Sequence, residues 1–191
     1  MKLFLIRHGQ TTANLNQIYA GQTDVPLTDL GRQQAEAIRP VLAGFSFDKV
    51  FSSDLSRAID TQRLALPGVE GERTALLREF DVGSLEGQGI AESVRWFGNA
   101  HRQSRDYSVF GGESAQMVCA RLQQFLAMLE AEPCDCAAAF VHNGVMNCML
   151  QIVLGGEYDR TGVKTGNCGI NVFEYENGKW KLLAWNYMGK L

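Results

Sequence analysis

Apolar positions along the chain follow two different periods. Runs of strand length occur at KLFLI (2–6), DKVFS (48–52), AAAFV (137–141), INVFEY (170–175) and KWKLLAW (179–185). The first three lack a two-residue alternation, as strands covered on both faces do. The last two flank Asn177-Gly178, a hairpin signal, and are expected to pair antiparallel at an edge of the sheet. Helical spacing fills the intervals. LTDLGRQQAEAIRPVLAG offers Thr28 as N-cap and Leu30, Ala35, Ile38, Val41 and Leu42 as an apolar face, with Pro40 expected to kink the final turn. A second helix is predicted from about Asp54 to the Pro67-Gly68 stop. The longest lies in GGESAQMVCARLQQFLAMLEAEP, with Met117, Val118, Leu122, Phe125, Leu126 and Leu129 at helical spacing, and a fourth covers Val145–Leu154 before Gly155-Gly156. Strands alternating with helices predict an α/β three-layer sandwich with a mostly parallel central sheet and an antiparallel edge strand. Residues 1–191 read as one domain, and the glycine- and aromatic-rich segment of about 80–112 reads as a small cap over the sheet edge.

Composition narrows the class. A chain of 191 residues, 46% hydrophobic and 20% charged, is ordinary for a globular domain. A net charge of −3 leaves no electrostatic footprint for nucleic acid, although local arginines can still build a positive pocket. No run approaches the roughly 18–20 apolar residues of a membrane span, and the apolar run in MKLFLIRHG is too short for a signal peptide. The expectation is a cytoplasmic protein with neither a nucleic-acid nor a membrane partner; its oligomeric state is not legible. Cys119, Cys134, Cys136, Cys148 and Cys168 are odd in number, and Cys134 and Cys136 form C-x-C rather than the C-x-x-C of metal or redox motifs. They read as reduced thiols.

The chemistry concentrates at strand ends, where ligands of parallel sheets bind. Two of the three histidines, His8 and His142, directly follow core-like strands, and each is followed within two residues by a glycine, Gly9 or Gly144. His101, in NAHRQSRD, lacks that setting and reads as a surface residue. Any one histidine or arginine is more simply a core or surface side chain. Arg7 beside His8, and Arg57 at the start of a helix after another strand, together with two matched histidines, suit a dianion cage. Guanidinium forks match phosphate oxygens and stay charged. A neutral imidazole can take the phosphoryl group, provided its other nitrogen is held by a carbonyl or carboxylate. A second, protonated histidine would steady the equatorial oxygens. The leaving alkoxide needs a proton from a nearby carboxylic acid; Glu79, Asp81 and Glu86 all qualify.

The ordered series LIRHGQT-x-x-N, GQTDVPLTDLGRQQA, SSDLSRA-x-x-T, LREFDVGSLEG, GGES and VHNG resembles the histidine phosphatase superfamily, in its phosphoglycerate mutase-like branch, from Leu5 to about Gly169. The resemblance implies that fold, and His8 as the phosphorylated nucleophile. It implies Arg7, Arg57 and His142 as the phosphate pocket, with Glu79 as proton donor and later base. Asn14, Ala20 and Gly21 would contact substrate. Glu113-Ser114 reads instead as a helix-start acid and cap. Gln10 stands where many relatives have glutamate, at a peripheral position. Asn143 stands where the family commonly continues His-Gly, and puts a side chain beside the pocket.

Relatives that are cofactor-dependent mutases generally carry a longer insertion after the proton donor and an extra C-terminal tail. Only residues 80–112 intervene here, and the chain stops at Gly189-Lys190-Leu191. The expected activity is therefore hydrolysis of a small phosphate monoester with release of inorganic phosphate, without cofactor or metal. The alternatives are a phosphoglycerate mutase using the same phosphohistidine and a non-catalytic phospho-ligand-binding module. A metallohydrolase is disfavoured because no H-x-H or H-x-x-x-H pairing exists and adjacent arginines repel a dication. Trp96, Phe97, Tyr107 and Phe110 are candidates for an apolar mouth, and Arg95, Arg102 and Arg105 for receiving an anionic substrate.

Overall fold

The computed structural model describes residues 1–156 and 163–187. Along the chain it contains β1 (Lys2–Arg7), α1 (Thr12–Asn16), α2 (Asp29–Ala37), α3 (Arg39–Leu42), β2 (Lys49–Ser53), α4 (Ser56–Ala65), β3 (Glu72–Thr74), α5 (Ile90–Phe97), α6 (Ala100–Ser104), α7 (Ala115–Glu130), β4 (Cys136–Val141), α8 (Asn143–Leu154), β5 (Ile170–Glu176) and β6 (Lys179–Tyr187). The strands form one sheet ordered β3-β2-β4-β1-β5-β6. The first four strands in the chain pair parallel; β5 joins β1 and β6 joins β5 antiparallel. This is the mixed α/β fold that the sequence predicts. β3 was not predictable from pattern. Glu72-Arg73-Thr74 has no apolar residue and is a strand only through backbone pairing with Phe51–Ser53 at the sheet edge.

The missing alternation of β1 has a direct cause. Leu3, Phe4, Leu5 and Ile6 are all fully buried. Leu3 and Leu5 pack with Val118, Leu122 and Phe125 of α7 and Val145 and Met149 of α8. Phe4 and Ile6 pack on the opposite face with Ala35, Leu42, Ala58 and Ala65 of α2, α3 and α4. Helices therefore cover both faces of the sheet. Two residues assigned to helix faces turn outward instead, Leu30 at 49% and Met117 at 54% exposure. Thr28 caps α2, accepting from Gly31 N at 3.0 Å. At Pro40 the helix breaks rather than kinks: α2 ends at Ala37, and α3 restarts with the proline in its first turn, where no N–H is needed. Asn177 and Gly178 both have positive φ, as the tight hairpin requires.

Sheet register sets up the site. Arg7 is paired with Val141 across the parallel β1 and β4, so the next residues, His8 and His142, leave adjacent strands at the same level. A close approach supports this end of the sheet. A Cβ on Gly9 would run into the backbone of Gly31, and a Cβ on Gly31 into that of Gln10. The two glycines let α2 press against the exit of β1. Among the described residues, no helix is long and apolar enough to cross a membrane. The chain end at Gly189-Lys190-Leu191 lies outside the described residues.

Candidate active site

The two strand-end histidines face each other with ring centroids 5.2 Å apart. His8 Nδ1 lies 2.7 Å from Gly9 O. A carbonyl can only accept, so Nδ1 carries the proton and Nε2 keeps a lone pair. His142 is set the other way. Arg57 Nε donates to His142 Nδ1 at 3.2 Å, which leaves the ring proton on Nε2. Burial, followed by the Arg57 and Arg7 charges, holds His8 well below the usual histidine range. Burial and Arg57 do the same to His142. Both rings are neutral at pH 7. The expectation of a protonated second histidine is thereby corrected: His142 is a neutral N–H donor, because a fully buried ring beside a guanidinium does not take up a proton.

Arg57 is 2% exposed, and each of its three nitrogens is anchored by a hydrogen bond. Besides His142 it donates through Nη2 to Gly21 O at 2.6 Å and through Nη1 to Thr23 O at 3.0 Å. The loop offering those carbonyls is itself held by Glu86, whose carboxylate accepts from Gln22 N and Thr23 N. Arg7 donates through Nη1 to Thr165 O at 2.6 Å, and Asn167 Nδ2 donates to His8 O. Burial lowers the pKa of both arginines, and the Glu79 charge opposes that at each. Among the described residues, two buried side-chain polar atoms lack a hydrogen-bond partner, Arg7 Nε and His142 Nε2.

Glu79 spans the gap between two segments. Its Oε1 accepts from Phe80 N at 3.0 Å and its Oε2 from Gly144 N at 3.1 Å. Gly144 sits in the first turn of α8, where any Cβ would collide with Glu79 Oε1 and the Phe80 ring. The glycine two residues after His142 thus makes room for the carboxylate. Asp81 turns away to cap Gly83 N and Glu86 holds the 21–23 loop, which separates the three acids that the sequence leaves equivalent.

A pocket of about 400 Å³ opens here. Arg7, His8, Asn14, Ala20, Gly21 and Arg57 line it together with Glu79, Asn143 and Gly144. His142 lies just behind, against His8 and Arg57. Asn14 belongs to a capping box in which its Oδ1 accepts from Thr11 N and its backbone N–H donates to Thr11 Oγ1. Gln10 accepts from Thr28 Oγ1 and stays out of the lining, as expected of a peripheral position.

Of the cap candidates, Arg102, Arg105 and Tyr107 reach the pocket, whereas Arg95, Trp96, Phe97 and Phe110 do not. Trp96 is 71% exposed and Phe97 packs on Phe110. Burial pushes the Tyr107 phenol up to about 12, so it stays protonated. The surface reading of His101 is wrong. His101 is buried, with Nε2 at 3.1 Å from Tyr19 OH and its ring against Tyr107 and Phe110. Its polar sequence neighbours hide partners that come from elsewhere in the chain.

Several supporting residues work through contacts that the sequence does not show, Thr61 among them although it closes the SSDLSRA-x-x-T motif. Thr61 accepts from Gly9 N and donates to Arg57 O, while Thr165 acts through its carbonyl. Glu113 is not the first-turn acid of α7. It pairs with Arg121 at 2.9 Å, and Ser114 alone provides the N-cap.

Comparison with known proteins places this geometry. The family model for the histidine phosphatase superfamily (branch 1) matches residues 3–188. The protein named "Probable phosphoglycerate mutase GpmB" from Salmonella paratyphi A is 28% identical over 193 aligned positions, covering 97% of this chain and 90% of the relative. A mycobacterial glucosyl-3-phosphoglycerate phosphatase, solved with VO3, superposes with a TM-score of 0.87 at 28% identity, covering 98% of this chain and 99% of that one. An alpha-ribazole phosphatase from Shigella flexneri superposes with a TM-score of 0.84 at 26% identity, covering 98% and 96%.

Proposed function

The chain belongs to the histidine phosphatase superfamily, branch 1, and from that premise we propose that it hydrolyses a small phosphate monoester through a phosphohistidine on His8. The observation that carries the reading is the pair of orphaned buried donors, Arg7 Nε and His142 Nε2. Buried polar atoms are almost always hydrogen-bonded; one orphan belongs to the residue before His8 and the other to the ring whose centroid lies 5.2 Å from that of His8. A tetrahedral oxyanion between them satisfies both.

In this reading the His8 Nε2 lone pair attacks phosphorus as the ester P–O bond breaks. Arg7, Arg57 and His142 stabilise the three equatorial oxygens by charge and hydrogen bonds already in position. The bonding pair goes to the ester oxygen, which takes a proton from the Glu79 carboxyl. Glu79, now a carboxylate, takes a proton from water as that water attacks phosphorus, and the N–P pair returns to His8. Inorganic phosphate leaves. The residues act as one domain in which the segment of about 80–112 caps the pocket. Arg102 and Arg105 at its mouth favour an ester that carries a second acidic group, with Asn14, Ala20, Gly21 and Asn143 beside the leaving portion. No step calls for a metal or an organic cofactor.

The relative's mutase name supports one other reading, phosphoryl return to a second hydroxyl of the same metabolite. A panel of phosphate monoesters, including 3-phosphoglycerate with 2,3-bisphosphoglycerate, scored for both phosphate release and isomerisation, separates the two. Phosphate release should dominate. Dominant isomerisation overturns the hydrolase reading.

A further inference from the structure

We propose that Arg121 and Glu113 are positioning residues for Glu79, forming a splint that fixes the backbone on both sides of the proton donor. This rests on the role given to Glu79 above. The two side chains pair bidentately along one guanidinium edge, Nε to Glu113 Oε1 at 2.9 Å and Nη2 to Oε2 at 3.0 Å, and each is 14% exposed. The remaining donors of Arg121 are spent on one short stretch of backbone. Nη1 donates to Leu76 O at 2.9 Å and Arg78 O at 2.6 Å, and Nη2 to Glu79 O at 2.9 Å. Glu113 completes the clasp from the other side, its Oε2 accepting from Asp81 N at 2.9 Å. The carbonyl of residue 79 and the N–H of residue 81 are thus gripped by a single ion pair.

Position is what this acid needs. The segment around Glu79 follows a 3-10 turn at Ala75–Leu77 and has no regular structure to hold it. Among the described residues, its carboxylate is aimed by Phe80 N and Gly144 N. A shift of the peptide by a fraction of an ångström would move the carboxyl off the ester oxygen, and misplacement of about 1 Å can cost on the order of a hundredfold in rate. Arginine is the residue for this role. Five donors in a rigid fork can bridge a carboxylate and three carbonyls, and lysine cannot.

The test reads leaving-group dependence in Arg121→Lys, Glu113→Gln and Glu79→Gln. An alkyl phosphate such as glycerol phosphate needs a proton on its departing oxygen. 2,4-Dinitrophenyl phosphate does not, because its phenolate leaves unaided. Glu79→Gln should lose about a hundredfold or more in kcat/KM, which reports phosphoryl transfer to His8 and not the later hydrolysis, with the alkyl ester and little with the aryl ester. Arg121→Lys and Glu113→Gln should show the same selectivity at about ten- to a hundredfold, and Arg121→Lys should add little on top of Glu79→Gln. Equal loss with both esters, no loss, or failure of both splint variants to fold while Glu79→Gln folds overturns the splint. If Glu79→Gln itself shows no selectivity, the role of Glu79 falls, and the splint with it.

Discussion

His8 and His142 stand 5.2 Å apart at equivalent ends of adjacent parallel strands, and their ring protons sit on opposite nitrogens. Gly9 O fixes His8 as the Nδ1–H form, and Arg57 fixes His142 as the Nε2–H form. One ring offers a lone pair and its neighbour a proton. Imidazole ¹⁵N–¹H correlation spectra at pH 7 should show the two different neutral tautomers. Finding both rings in the same tautomer, or either one protonated, contradicts the assignment.

The same burial makes the fold sensitive to mild acid. His8 and His142 have folded pKa values well below 6.5, so below that pH the unfolded chain binds more protons than the folded one. Stability from this source is full above about pH 6.5 and falls as the pH drops. Each ring contributes up to about 1.4 kcal/mol per pH unit. The lowered carboxylates start from ordinary values of 3.8 at Asp54 and 4.5 at Glu176, so the interval from pH 7 to pH 5 isolates the histidines, to which His101, also lowered by burial, adds its share. The melting temperature should fall across it, and a flat profile would contradict buried neutral rings.

Gly144→Ala tests whether room for the carboxylate matters. The added methyl meets Glu79 Oε1 and the Phe80 ring. Since alanine otherwise favours a helix, secondary structure should be kept while turnover of alkyl esters drops about ten- to a hundredfold. Wild-type turnover in this variant would show that Glu79 can work from elsewhere.

Tyr19→Phe should destabilise the protein by about 1–2 kcal/mol, because it removes the hydroxyl that partners His101 Nε2 inside the cap. Denaturant unfolding measures the change. No loss of stability would return His101 to the role of an ordinary surface histidine.

The strands, the main helices and the cluster of His8, His142, Arg7 and Arg57 are legible in the sequence for a physical reason. Their signals are local: an unbroken apolar run, a cap, a glycine after a strand end. What escapes depends on distant partners. His101 looks like a surface residue because Tyr19 and Phe110, which bury it, lie outside its own polar segment. Arg121 looks like a polar position of an amphipathic helix. Its use becomes visible only when carbonyls more than forty residues away come within 3 Å. Thr165 contributes a backbone carbonyl, which any residue could supply. Among Glu79, Asp81 and Glu86 the residues alone leave the choice open; the family resemblance implies Glu79, and among the described residues Glu79 is the one of the three that meets Gly144 N.

The central claim is that phosphoryl passes onto His8 Nε2, and quenched-flow labelling tests it most directly. A ³²P-labelled monoester mixed with the enzyme, quenched in alkali within the first turnover and mapped by peptide, should place an acid-labile, alkali-stable phosphate on His8, and none should form in His8→Ala. Turnover with no such label, or label that persists in His8→Ala, would contradict it.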